Sequence, residues 1–337
     1  MTINDVAREC GVAASTVSRA FSRPGRVSAA TAERIKEAAE RLGYRATPLS
    51  LRTVTGQTGM IGLVVSDVTN PVYFPLIRGA EAAATERDWM TLLTDAQESA
   101  RKERDGIDRS LTAVDGLLLA GTRMSDASIR LVAQQLPVVV CNRAVTGVHS
   151  VVADNARGIR RAVEHLADLG HTTITYVAGP EASWADGVRW RALREATYEL
   201  EMRAVRVGPF PPTVDGGVSA VQALRRLDPT AVIAYNDLLA IGLLRGLAAA
   251  GVAVPSDVSV IGFDNIFGSD FCTPGLTTVA IPLRGLGGEA VARLAAQIDG
   301  GAGHQIRPTV VPTRLVVRDS TAPRRAQHRR ARSSPPT

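Results

Sequence analysis

Short, nearly continuous apolar runs recur from Met60 onward, and they constrain the fold more than any other feature of the chain. They occupy residues 61–65, 116–120, 137–141, 174–178, 231–234 and 258–262. Each run has the length of a strand that is buried on both faces, and helical stretches at 80–88, 156–169, 190–200 and 238–250 lie between most of them. This alternation predicts two parallel, doubly wound sheets of three strands each, with helices on both faces.

The ends of most of these runs carry polar residues, directly after the run or one residue further on. They are Ser66-Asp67, Asn142-Arg143, Gly179-Pro180, Asn236-Asp237 and Asp264-Asn265. In open α/β sheets, ligands bind beyond the carboxyl ends of the strands. Two such sheets that face each other would therefore line a cleft between two lobes.

The segment before Met60 has a different pattern and reads as three short helices. Thr2 can cap a helix over 3–10 that ends at Gly11, a second helix follows over 14–21, and Ser28 can cap a third that ends near Leu42. Two helices joined by a short turn that contains glycine are typical of a helix-turn-helix. This head is small and all-α.

We predict four segments from these patterns. They are a helix-turn-helix DNA-binding domain over 1–46, a hinge over 47–58, a two-lobed effector-binding and dimerisation domain over 59–321, and a basic disordered tail over 322–337. The lobes would comprise 60–155 with 283–312, and 156–282 with 313–321, because the chain crosses between them more than once.

Charge is distributed unevenly over the 337 residues, whose net charge is +6. Residues 1–58 carry a net +4, the tail after Ala322 adds five arginines and no acid, and the middle is left at −3. A basic head on a mildly acidic body favours contact between the head and a polyanion. The net charge of the head is equally compatible with a surface that only contacts solvent.

Several kinds of chemistry have no motif here. The only lysines, Lys36 and Lys102, lie in no phosphate-binding loop, and neither a zinc-protease helix motif nor a nucleophile elbow occurs. We therefore expect no enzyme activity, cofactor or metal. Cys10, Cys141 and Cys272 form no C-x-x-C pair, no run of 18 apolar residues occurs, and no leader is apparent, so we expect a cytoplasmic protein that does not contact membranes.

The motifs, taken in order, resemble those of the LacI/GalR family of bacterial ligand-responsive transcription regulators, over residues 2–320. The matching residues are 2–8 (TINDVAR), Gly11-Val12, 15–19 (STVSR), Val27-Ser28, 42–44 (LGY), 61–65, Asn70-Pro71, Arg78-Gly79, Asp115-Gly116, Asp154-Asn155, His165-Leu166, 169–171 (LGH), Asn236-Asp237, 240–242 (AIG), 258–264 and 277–279 (TTV). The resemblance implies a transcription regulator, most often a repressor. It further implies a homodimer on an inverted-repeat operator, with a small effector bound between the lobes.

The resemblance also implies which residues contact DNA. Ala14, Ser15 and Arg19 would reach base edges in the major groove, Thr16 and Ser18 would contact phosphates, and Thr2 belongs to the same set. Ala13 stands where the family usually has a capping serine, which costs about 1 kcal/mol of helix stability.

The hinge departs from the family pattern. Family members insert a hinge leucine into the minor groove, and this chain has Thr53 at that position. Leu49, Leu51 and Val54 are nearby apolar alternatives, so either the register shifts or the wedge is weaker.

For the cleft, the resemblance implies an effector site on both lobes. Its residues would be Val72, Tyr73, Asp154, Arg189, Phe210, Asn236 and Asp264. A guanidinium and a carboxylate on opposite walls suit the adjacent hydroxyls of a sugar. A nucleobase or nucleoside between Tyr73 and Phe210 is the alternative.

Two proteins of other classes would share part of this pattern. A stand-alone sugar-binding protein would need a signal peptide and no DNA-binding head. An α/β enzyme would need a nucleophile or a general base in the cleft.

Overall fold

The computed structural model describes residues 2–22, 24–44, 57–300 and 306–324. These residues form a helical head and two α/β lobes, each built on a six-stranded sheet. This architecture confirms the fold class that the alternation predicts. In the described part of the chain, no helix is both long and apolar enough to cross a membrane.

The described helices run in this order: α1 (Ile3–Cys10), α2 (Ala14–Ser22), a 3₁₀ turn (Pro24–Arg26), α3 (Ala29–Arg41), α4 (Tyr73–Thr85), α5 (Ala100–Ser110), α6 (Asp126–Ala133), α7 (Asn155–Asp168), α8 (Trp184–Glu199), α9 (Val214–Leu227), α10 (Asp237–Ala249) and α11 (Leu283–Ile298).

The described strands are β1 (Met60–Val65), β2 (Met90–Asp95), β3 (Gly116–Ala120), β4 (Val138–Cys141), β5 (His149–Ala153), β6 (Thr173–Val177), β7 (Arg203–Val207), β8 (Ala231–Ala234), β9 (Ser259–Asp264), β10 (Thr277–Ala280), β11 (Thr309–Val311) and β12 (Arg314–Val316).

The head is held together by a small apolar core. Val6, Val17 and Ile35, one from each helix, have no exposed surface. Gly11 ends α1 in the left-handed conformation at φ +61°, and the Ser28 hydroxyl accepts the Thr31 N–H at the start of α3. The core therefore orients α2 against α1 and α3.

We call the lobe that contains β1 to β5 the N-lobe and the lobe that contains β6 to β10 the C-lobe. The N-lobe sheet has the order β11-β5-β4-β3-β1-β2, and all of its pairings are parallel. The C-lobe sheet has the order β12-β10-β9-β8-β6-β7, in which only the β10–β12 pair is antiparallel. In both sheets the central strands end at the same edge. That edge is where the polar residues of the sequence analysis lie.

The sheets are twice as wide as the apolar runs predict. The edge strands β2 and β7 are partly exposed along their length, so neither forms a continuous apolar run. Helix α5 was not predicted either, because Ile107 is the only large apolar residue that it buries. Helices α4 and α8 begin earlier than expected, at Tyr73 and Trp184.

Helix α11 follows the second sheet in the chain but packs against α4 and strands of the first. The two helices touch through glycine. A Cβ atom at Gly79 would lie 1.9 Å from the Arg284 carbonyl oxygen, and one at Gly287 would lie 2.2 Å from the Leu76 carbonyl oxygen. The chain thus passes between the lobes three times, after β5, after β10 and between β11 and β12.

Candidate DNA-binding head and effector cleft

The predicted DNA-contacting residues of the head are accessible in the structure. Thr2, Ser15 and Arg19 are exposed, while Ala14, Thr16 and Ser18 are partly exposed on the same helix as Arg19. Val17 and Ala20 on the opposite side of α2 pack into the core. Helix α2 therefore offers its small and polar face to a groove, as a recognition helix must.

Thr2 has a structural task as well. Its N–H donates to the Asp5 carboxylate at 2.8 Å and its hydroxyl donates to the same oxygen at 2.9 Å. The Thr2 N–H is the largest cause of the lowered pKa of Asp5. These bonds fix the start of α1.

The proposed wedge residues Leu51, Thr53 and Val54 lie outside the described residues. The chain is described again from Gln57, and there it is anchored. The Asp115 carboxylate accepts the N–H groups of Thr58, at 2.7 and 2.9 Å, and of Gly59, at 2.7 Å. The last residue of the predicted hinge, Thr58, and the residue after it, Gly59, are thus tied to Asp115 at the start of β3.

A cleft of about 680 Å³, which includes the solvent at its mouth, lies between the carboxyl ends of the two sheets. Its polar and aromatic lining comes from both lobes: Asn70, Tyr73, Glu98, Thr122, Arg123, Asn142, Arg143, Ser183, Trp184, Arg189, Tyr235, Asn236 and Asp264. The cleft matches the position that the strand-end residues predict.

Arg189 is the best-fixed cation of the cleft. It is 2% exposed, and its guanidinium lies 3.6 Å from the centre of the Phe263 ring. Nε donates to Asn155 Oδ1 at 2.9 Å, Nη1 to the Tyr235 carbonyl at 2.5 Å, and Nη2 to Asp264 Oδ1 at 3.2 Å. A guanidinium has five N–H groups, so two remain for a ligand after these bonds with described residues.

Asp264 ends β9 and faces Arg189 on the same wall. It is 6% exposed, and burial raises the pKa of its carboxyl to about 6, although Arg189 opposes the shift. Its backbone has φ +110°, and Asn265 follows at φ +58°. Both values are unusual for residues with a side chain, and such conformations are concentrated at functional sites.

The N-lobe wall carries a chain of hydrogen bonds. Arg123 Nε donates to Glu98 Oε2 at 2.7 Å, and the Ser66 hydroxyl donates to Glu98 Oε1 at 2.8 Å. Ser66 also shares a hydrogen bond of 2.7 Å with the hydroxyl of Tyr73. Burial raises the pKa of Tyr73, so its ring and hydroxyl stay neutral.

Two buried polar atoms of this wall have no hydrogen-bond partner among the described residues. They are Asn142 Oδ1, an acceptor, and Arg143 Nε, a donor. Arg143 is held in place because its Nη1 donates to the Met124 carbonyl at 2.7 Å and its Nη2 pairs with Asp126. Orphaned polar atoms of this kind are costly unless a ligand or water completes them.

Five of the seven predicted effector residues line the cleft: Val72, Tyr73, Arg189, Asn236 and Asp264. Asp154 and Phe210 are outside its lining. The Asp154 carboxylate caps α7 by accepting the Arg157 N–H at 3.0 Å, and the next residue, Asn155, is the one that reaches Arg189. Their roles toward an effector stay predictions.

Several residues of the cleft lining were not predicted as site residues from the sequence. Asn142 and Arg143 carried a signal, since they follow an apolar run directly. Glu98 follows the edge strand β2, which no apolar run marks, and Trp184 begins a helix whose start was placed too late. Tyr235 had no signal beyond its place before Asn236.

Two family models match the chain. Residues 2–47 match bacterial regulatory proteins of the lacI family, and residues 163–321 match a periplasmic binding protein-like domain. The transcriptional repressor CytR of Escherichia coli strain K12 is 34% identical over 333 residues, which cover 95% of this chain and 96% of the relative. The transcriptional regulator CelR of Thermobifida fusca is 32% identical over 335 residues and covers 95% of this chain and 98% of the relative.

Solved structures agree. The lac repressor dimer bound to operator and an anti-inducer has a TM-score of 0.82 at 25% identity, over 96% of this chain and 99% of that one. A CelR–cellobiose complex has a TM-score of 0.70 at 31% identity, over 95% of this chain and 99% of that one. A regulator of Enterococcus faecalis with bound ribose has 0.72 at 29%, over 79% of this chain and 100% of that one.

These matches define a class: a DNA-binding transcription regulator with a helix-turn-helix head and a two-lobed α/β body. The chain belongs to the lacI family of bacterial regulatory proteins.

Proposed function

We propose that this regulator represses transcription as a homodimer on an inverted-repeat operator, and that a neutral sugar bound in the cleft switches its affinity for DNA. The observation that supports a sugar as the ligand is the charge balance of the cleft. Arg189 faces Asp264, Arg123 faces Glu98, and Arg143 faces Asp126. Because each cation has a carboxylate partner, a charged ligand gains little there, whereas a polyhydroxylated one finds donors and acceptors together.

The unpartnered atoms on the N-lobe wall support the same ligand. Asn142 Oδ1 can accept and Arg143 Nε can donate, as adjacent hydroxyl groups of a sugar require. On the C-lobe wall, two N–H groups of Arg189 stay available. A sugar that spans the cleft would satisfy both walls at once and favour the closed arrangement of the lobes.

A flat nucleobase fits less well. The sequence allows a sandwich between Tyr73 and Phe210, but Phe210 is not in the cleft lining, and the buried Tyr73 hydroxyl is bonded to Ser66. Trp184 is a partly exposed aromatic residue of the lining, and an aromatic ring suits the C–H face of a sugar. Ribose in one structural neighbour and cellobiose in another support this class.

The helix-turn-helix head supports the proposal of operator binding, and exposed apolar side chains support the proposal of a dimer. In the N-lobe these are Phe74, Met90 and Leu93, and in the C-lobe Phe267 and Phe271, whose rings meet edge to face at 4.9 Å. Large apolar side chains exposed in groups mark interaction sites. The likeness to the lac repressor dimer on operator supports a second copy as the partner.

We further propose that the cleft binds its ligand without converting it, and that the protein works in the cytoplasm, where operator DNA lies. The described cleft lining contains no histidine or cysteine, and its two serines near the walls are engaged, Ser66 with Glu98 and Ser183 with the Tyr235 hydroxyl at 2.9 Å. A nucleophile with an adjacent base, which an enzyme needs, is therefore not present in this lining.

The experiment has two parts. Operator affinity is measured by fluorescence anisotropy with a labelled fragment of the upstream region, at one fixed salt concentration. Isothermal titration then measures the affinity of the protein for D-ribose, cellobiose and cytidine. We expect a sugar to bind and to change operator affinity. Binding of cytidine with no response to any sugar would overturn the proposed ligand class, and a footprint over one asymmetric half-site would overturn the dimer.

A further inference from the structure

Asp237 is a buried carboxyl group that the site described above does not use. It lies at the first position of α10, next to Asn236, and has no exposed surface. Its Oδ2 accepts the Ile266 N–H at 2.8 Å, and the Thr278 hydroxyl donates to its Oδ1 at 2.6 Å. None of the ion pairs in the described part of the chain includes Asp237, so an ionised carboxylate here would lack the partner that burial demands.

The segment that Asp237 holds is the unusual turn after β9. Asp264 and Asn265 have positive φ, and such backbone persists only where its surroundings determine it. Asp237 takes the N–H of the next residue, Ile266, and Thr278 accepts the Asn265 N–H at 3.4 Å. The hydrogen bonds of Asp237 therefore fix the backbone that directs the Asp264 carboxylate toward Arg189.

We propose that Asp237 is a positioning residue of the effector cleft and acts as a neutral, proton-bearing acid. Its proton lets it bond to Thr278 in either direction, since a carboxylic acid donates and the hydroxyl also accepts. As a neutral group it holds the turn without repelling the Asp264 carboxylate, whose charge acts on it. The part of this inference that concerns the effector rests on the proposed function.

Three titratable or charged groups interact with Asp237: Asp264 on β9, Cys272 on the loop after it, and Arg318 after β12. Arg189 pairs with Asp264. Burial is the largest cause that raises the pKa of Asp237 to about 8; the charge of Asp264 adds to it, and Arg318 opposes it. The pKa of Asp264 is raised less than that of Asp237, because Arg189 opposes the effect of burial on Asp264.

The first test needs no effector. Infrared spectroscopy of the wild-type protein should show a buried, protonated carboxyl band at pH 7 that is lost above about pH 8. Asp237→Asn should lack this band, and Asp270→Asn, which removes an exposed carboxyl from the same loop, should keep it. A wild-type spectrum without the band at pH 7, or with a band that persists in Asp237→Asn, would overturn the proposal.

Thermal unfolding gives a second readout. The folded pKa of about 8 lies above the ordinary value of 3.8, so the folded state holds more protons than the unfolded one between these pH values. Stability should therefore fall as the pH rises through this range in the wild type, and fall less in Asp237→Asn. Parallel profiles for the two proteins would contradict a proton on Asp237.

The third test measures D-ribose affinity from about pH 7 to pH 9. We expect the wild type to lose affinity several-fold over this range, because ionised Asp237 disturbs Asp264. Asp237→Asn should keep its affinity, and Asp237→Leu should bind about tenfold more weakly at every pH, because the Ile266 N–H loses its acceptor. A wild type whose affinity does not change with pH would overturn the positioning role. If ribose binds to none of these proteins, the proposed ligand fails, while the band and the unfolding profile still decide the protonation of Asp237.

Discussion

Asp264→Asn separates effector recognition from folding. Asparagine keeps the shape of aspartate and an acceptor for the Arg189 N–H, but removes the charge. The bond from Arg189 Nη2 to Asp264 Oδ1 is 3.2 Å long, which is longer than the 2.7–2.9 Å usual for a charge-assisted bond. Arg189 also keeps its bonds to Asn155 and to the Tyr235 carbonyl, so its position should hold.

The magnitude follows from this geometry. A hydrogen bond to a charged group contributes about 1.5–3 kcal/mol, and a neutral one contributes about 1 kcal/mol. Exchanging one for the other in the bond that Asp264 makes to a sugar hydroxyl should weaken sugar binding by about 0.5–2 kcal/mol, or about 2- to 30-fold in Kd. Folding stability near pH 7 should not fall in parallel, since burial opposes the Asp264 charge, as its raised pKa indicates.

Titration calorimetry with D-ribose, thermal unfolding and operator anisotropy with and without sugar would be run on both proteins. Asp264→Ala is the contrasting variant, because it leaves Arg189 buried without its counter-charge and should also lower stability. The reasoning is refuted if Asp264→Asn binds sugar as tightly as the wild type, or if its loss of affinity equals its loss of stability.

Three further predictions follow from the head, the hinge anchor and the helix contact. Arg19→Ala should weaken operator binding by about 1–3 kcal/mol in anisotropy while sugar affinity stays constant; loss of both would place Arg19 in the fold rather than on DNA. Asp115→Asn should leave sugar affinity intact but reduce the ratio of operator affinities without and with sugar, because the Thr58 and Gly59 N–H groups lose a charged acceptor; an unchanged ratio would exclude the anchor from the switch. Gly79→Ala should lower stability by about 1–3 kcal/mol in denaturant unfolding, whereas Gly285→Ala, whose Cβ meets nothing within 4 Å, should not; equal effects would contradict the tight contact between α4 and α11.

The apolar runs predict six of the buried strands but miss β5 and β10, which are buried along almost their whole length as well. The central strands β1, β3, β4, β6, β8 and β9 all coincide with apolar runs. The partly exposed strands β2 and β7 escape the pattern because solvent on one side removes the need for apolar residues there. Helix α5 escapes it too, since it buries Glu103 and Gly106 in place of an apolar stripe.

The cleft shows the same limit at the level of single residues. Arg189 and Asp264 could be placed in the cleft by resemblance, Asp264 because it ends the 258–264 motif and Arg189 because it matches the ligand-binding arginine of the family in the helix after the fourth apolar run. No pattern in the sequence decides whether Asp154 or Asn155 faces the cleft. A helix cap and the first helical residue differ by one position but point in different directions. Only the structure gives the cap to Asp154 and the Arg189 contact to Asn155.

The route from the cleft to the hinge is short and rigid. Strand β3 begins beside Asp115, which holds Thr58 and Gly59, and ends at Ala120, after which the chain continues through Gly121 into Thr122 and Arg123 of the cleft wall. Its five residues span only about 16 Å at the usual rise per residue. They are fully buried and paired with β1 and β4 on both sides, so the strand has little room to bend.

A strand fixed in this way cannot carry a signal by changing its own conformation. We therefore expect a sugar that bridges the two walls to act on the predicted hinge by moving the whole N-lobe relative to the C-lobe. The Asp115 anchor then makes the hinge end follow the lobe as a rigid attachment. In a dimer, the spacing of the two anchors would decide whether both heads reach their half-sites, so a cleft far from DNA can control DNA binding without any change inside the head.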